Sequence, residues 1–92
     1  MENVTIGRIV HYVLSPNDAE RVSEHRADYP RRRGNDVRAN DVIPAIVVWP
    51  HNNEQSTFNG QAFLDGDDVL WLMSVPYNAD GKPGTWHWPP RA

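Results

Sequence analysis

The residues of this 92-residue chain best suited to chemistry are aromatic and basic. Near its end, Gly84-Thr85-Trp86-His87-Trp88-Pro89 puts two indoles on one face of a short extended segment and an imidazole on the other. Upstream stand Tyr12 beside His11, the run Arg31-Arg32-Arg33, and the single residues Ser74 and Lys82. Such a set suits a planar, phosphorylated ligand. Trp86, Trp88 and Tyr12 would stack on a base, a contact that contributes on the order of 1–3 kcal/mol. Arg31, Arg32, Arg33 and Lys82 would meet phosphate, because a guanidinium grips it in a bidentate fork. His11, His87 and Ser74 would hydrogen-bond ring or sugar edges. Each reading has a plainer alternative. The indoles, with Trp49 and Trp71, can fill a small core, and the arginine run can be a solvated loop balanced by neighbouring acids.

Other chemistries lack their signals. With no cysteine, disulfides, thiolate catalysis and Cys-ligated zinc are excluded. His11, His25, His51 and His87 are scattered, with no His-Glu-x-x-His spacing, so no metal site is expected. Asp65-Gly66-Asp67-Asp68 resembles the start of a calcium loop, but Val69 and Pro76 stand where an EF-hand needs ligands. A solvated hairpin turn is the reading that remains. Paired carboxylates, a Ser-His-Asp arrangement and a phosphate-cradling glycine loop are also missing as motifs. The expectation is a binding protein without cofactor, not an enzyme.

The elements that must position these residues are mostly strands. Gly7 to Leu14 is dominated by β-branched and aromatic types and reads as the first. Ser15 then caps a helix, Pro16 suits its first position, and Pro30 ends it at about Ala27 or Asp28. The apolar stripe of this helix is thin, Ala19, Val22 and Tyr29 with the Arg26 stem between, so it lies on a surface. Further strands are expected over Val42–Trp49, Phe58–Leu64, Val69–Val75 and Thr85–Trp88. Val69–Val75 is apolar on both faces, which predicts a central strand. Five short strands, tight turns and one helical insertion after the first strand predict a mainly β, five-stranded antiparallel barrel, SH3-like or OB-like.

Size and charge narrow the functional classes. The chain forms one domain, 1–92, with the helix and arginine-rich loop as an excursion over 15–41. That excursion holds six Arg and six Asp or Glu, so the net charge of −3 comes from the remainder. An acidic balance argues against a protein that coats nucleic acid. No stretch reads as a signal peptide or membrane span, so a soluble protein is expected. One subunit is too small to enclose a ligand well, and a homo-oligomer with a pocket between subunits follows.

The blocks Gly7-Arg8-Ile9-Val10-His11-Tyr12-Val13-Leu14-Ser15, Asp18-Ala19-Glu20, Gly60-Gln61-Ala62-Phe63-Leu64-Asp65-Gly66, Trp71 and Gly84-Thr85-Trp86-His87-Trp88-Pro89 carry a resemblance. Together they resemble a family of small proteins encoded by tailed bacteriophages and prophages, and the last block is the most specific. The resemblance implies a viral accessory protein at work in the cytoplasm of the bacterial host. In size and acidity the chain also resembles oligomeric sponge proteins that sequester nucleotides made by bacterial immune systems. The leading expectation is therefore an anti-defence protein that captures a small nucleotide-type ligand without turning it over. The alternative is an SH3-like protein-interaction module that docks a host or phage protein on its aromatic face. Nucleic-acid binding by an OB-like barrel and a small hydrolase complete the set.

Overall fold

The computed structural model describes residues 4–31 and 33–90. Its elements run β1 (Ile9–Val13), α1 (Pro16–Asp28), β2 (Val42–Pro50), β3 (Phe58–Phe63), β4 (Val69–Val75) and β5 (Trp86–His87). The strands form one five-stranded sheet in the order β4-β3-β2-β1-β5, with every neighbouring pair antiparallel. This is the mainly β architecture with one helical insertion that the sequence predicts. The sheet does not close into a barrel. A single parallel bridge, Tyr77 to Trp86, joins the chain beyond β4 to β5.

A second expectation is corrected. β4 lies at an edge of the sheet, paired only with β3, and not at its centre. Apolar residues on both faces of a strand record a demand for burial; they do not say which neighbour meets it.

The register sorts the side chains into two faces, because residues directly opposite in an antiparallel pair project to the same side. Val10, Ala45 and Ala62, with Leu70, make one row of the inner face, and Val47, Gly60 and Leu72 make the next. Phe58, Tyr12 and Trp86 complete this face, and with Leu14, Val22 and Val4 they form the core. Gly60 is required by close approach. A Cβ there would overlap the Ile46 carbonyl and the Phe58 ring, so no other residue lets that ring lie on the inner face.

Local chemistry fixes α1. The Ser15 hydroxyl accepts from the Asp18 N–H at 3.1 Å, and the Asp18 carboxylate accepts from the Ser15 N–H at 2.9 Å. This reciprocal capping box satisfies two backbone donors that the helix start would otherwise orphan. The Tyr12 hydroxyl donates to the same carboxylate, which ties the cap to β1. Farther along, Val22 enters the core. Arg26 then forms a bidentate pair with Asp68, Nε at 2.8 Å and the second nitrogen at 2.9 Å, and donates to the Asn35 carbonyl at 2.7 Å. Helix, excursion loop and the turn before β4 meet at that guanidinium. Gly34 and Gly66 bridge beneath it, and a Cβ on Gly34 would overlap the Arg26 side chain.

Candidate functional site

The residues expected to bind a ligand do not converge. Trp86 is fully buried, its Nε1 donating to the Ser56 carbonyl at 2.8 Å. Three rings meet it edge-on: Phe58 at 5.9 Å, Tyr77 at 4.9 Å and Trp88 at 5.0 Å between centroids. No face of that indole is open for stacking. Tyr12 is likewise buried, and burial first, then the Asp18 hydrogen bond and charge, raise its phenol above the usual range. Trp88 is half-buried with the Arg8 guanidinium 4.6 Å from its ring centroid, a cation–π contact that occupies one face. The expected stacking platform is thus mostly core.

The polar candidates separate into groups. His11 and His87 are cross-strand partners on β1 and β5, their rings edge-on at 5.7 Å. Lys82 is exposed in the loop before β5, where its carbonyl accepts from the Thr85 hydroxyl at 2.6 Å. Ser74 sits at the opposite edge, on β4, in a left-handed conformation (φ 53°) with its N–H donated to Asn59 Oδ1 at 2.8 Å. Arg31 is exposed beside a shallow hollow of about 440 Å³ that Asp28, Tyr29, Pro30 and Asp67 also line. Two carboxylates around one guanidinium make a poor phosphate site. Arg33 is held through its backbone, its N–H donating to Asp67 Oδ1 at 3.2 Å and its carbonyl accepting from Asp67 N at 2.8 Å. Arg32 lies outside the described residues. Among the described residues no three His, Asp or Glu side chains gather into a metal-holding group.

His87 carries a measurable consequence. Its Nδ1 is buried without a hydrogen-bond partner. Burial chiefly, and the neighbouring His11 in addition, push its pKa down. An unfolded imidazole takes up a proton near pH ~6.5. The folded ring resists it, so the unfolded state binds more protons as the pH falls through that value. Stability is therefore unaffected by this residue above pH ~6.5 and declines below it, down to the depressed folded pKa. Thermal melts between neutral and mildly acidic pH should show this decline, and His87→Leu should flatten it. An unchanged slope in the variant would remove His87 as its source.

The surface that no sequence motif marks is the outer face of the sheet. By register Val69 pairs with Phe63 and Pro44 with His11; Trp71, Gln61, Ile46 and Ile9 make a full row; and Asn59 faces Trp49. Trp71 is 51% exposed, Phe63 43%, and Trp49 and Met73 65% each. Val42, Val48, Val69 and Ile9 are also about half exposed. An outward sheet face is ordinarily polar, whereas this one is apolar across four strands. One signal was present in the sequence: Val42–Trp49 and Val69–Val75 do not alternate. Two contiguous grooves, of about 380 and 330 Å³, run between α1 and β4, with Arg21 and Trp71 common to both.

No helix among the described residues is long and apolar enough to cross a membrane. Comparison with protein-family models, curated proteins and solved structures finds no match for this chain.

Proposed function

We propose that this protein is a non-enzymatic interaction module whose working surface is the outer face of its sheet. The observation that carries the reading is the exposure of Trp71, Met73, Trp49 and Phe63 together on one face. Exposed contiguous apolar surface of this kind marks protein–protein contact, and tryptophan and methionine are enriched at the centres of such contacts. In the phage context implied by the terminal blocks, the partner is a host or phage protein in the bacterial cytoplasm. A finer fold belongs to the same proposal: an SH3-like half-barrel, supported by the Tyr77–Trp86 bridge that links the chain after β4 to β5.

Capture of a small nucleotide is the competing proposal. Its support is the His11–His87 pair, the unpartnered Nδ1 and the exposed Lys82 nearby in sequence. It has lost Tyr12 and Trp86 as stacking rings. One incubation separates the two. Protein is mixed with a panel of linear and cyclic nucleotide messengers, and free ligand is quantified before and after heat denaturation. The interaction reading expects every species to remain free and unchanged. Loss of one, recovered intact on heating, would replace it with capture; a new product would establish an enzyme. In parallel, affinity purification from infected cells should yield a stoichiometric protein partner that Trp49→Lys abolishes.

A further inference from the structure

β4 combines two features that a solitary domain avoids. It is an edge strand seven residues long, and its sequence, Val-Leu-Trp-Leu-Met-Ser-Val, contains no lysine, no proline and no charge. Edge strands in monomers are blunted by such residues, by shortness or by a covering segment. The other edge is treated that way: β5 has two residues, is bridged by Tyr77, and is followed by Pro89 and Pro90. We infer that β4 pairs antiparallel with β4 of a second copy of this chain, joining two sheets into one across a two-fold axis at Trp71. The inference goes beyond the proposed partner surface, which it leaves open and doubles in width.

Self-complementarity selects a second copy as the occupant. The β-bulge and left-handed Ser74 interrupt the strand after Met73, so the regular pairing segment is Val69–Met73. Centred on Trp71, antiparallel pairing sets Trp71 against its own equivalent and Val69 against Met73 on the outer face. On the inner side Leu70 meets Leu72, above the grooves that separate β4 from α1. Every cross-strand pair is then apolar on both faces. Charge agrees with the antiparallel sense, which sets the two acidic Asp65–Asp68 segments at opposite ends of the seam, where parallel pairing would bring them side by side.

The test uses the whole chain and a charge swap. Sedimentation or light scattering of the wild type should report twice the 10.5 kDa of one chain. Trp71→Lys and Trp71→Glu each place like charges at the axis and should run as folded monomers. Their dissociation constants should rise by roughly a hundredfold or more. Mixing the two variants should restore a dimer, because opposite charges then face each other. Trp49→Lys, on β2, should leave the dimer intact while losing the partner protein, so the two proposals fail separately. Amide exchange gives a reading that needs no variant: the amides of Val69–Met73 should become more protected as wild-type concentration rises. A wild type that stays monomeric at high concentration would overturn the inference. So would a dimer indifferent to both charges at position 71, or failure of the mixed variants to pair.

Discussion

Trp86→Ala is expected to unfold much of the protein at physiological temperature. The indole is fully buried and packs against Phe58, Tyr77 and Trp88, and its N–H satisfies the Ser56 carbonyl. Truncating a buried aromatic ring to alanine costs about 4 kcal/mol, from lost transfer free energy and the cavity left behind. A domain of this size holds on the order of 5–14 kcal/mol in total, and a loss of that size lowers Tm by more than about 15 °C. Urea titration followed by circular dichroism measures it directly. Trp86→Phe keeps most of the ring and should lose about half as much. Because Trp86 closes the contact between β5 and the segment after β4, the loss should be felt at that seam first, as early amide exchange at His87 and Asn78. A variant as stable as the wild type would mean that this ring lies at the surface after all, as the ligand-platform reading required.

Arg26→Ala is the second large effect, and it arises from electrostatics. Asp68 is 6% exposed, and Arg26 grips it with a two-pronged contact at 2.8 and 2.9 Å. Breaking a buried ion pair by removing one member is strongly destabilising, at a cost of about 3 kcal/mol. The same guanidinium donates to the Asn35 carbonyl, so the excursion loop should loosen together with the turn before β4. Arg26→Lys retains charge but not the planar fork, and should restore less than half of the loss. Chemical denaturation gives the free energies, and proteolysis between residues 29 and 41 reports the loop. If Arg26→Ala denatured like the wild type, the clamp would be an exposed pair of little weight.

These two residues illustrate different limits of a sequence reading. The sequence sets Trp86 on a short strand beside Trp88, but its other ring partners come from β3 and from the segment after β4. No local pattern states which face of a strand will curl inward. In the sequence Arg26 shows only as a stem covering a thin helix stripe. Its partner is 42 positions away, so the pair was invisible until the turn before β4 folded back against α1.

Local chemistry determined much of this protein. Ser15, Pro16 and Asp18 specify where α1 begins, because the cap bonds are made within four residues. β-branched and aromatic runs mark four of the five strands, within two residues of their ends; β3, Phe-Asn-Gly-Gln-Ala-Phe, carries no such run. Absence of cysteine by itself excludes disulfides, thiolate catalysis and Cys-ligated zinc. Tertiary structure alone decided the strand order, and with it the edge position of β4 and the apolar outer face. Period and composition report how much of a strand must leave water. Only the order of pairing shows how much of that demand one chain meets by itself, and for Val69–Val75 it meets it on one side.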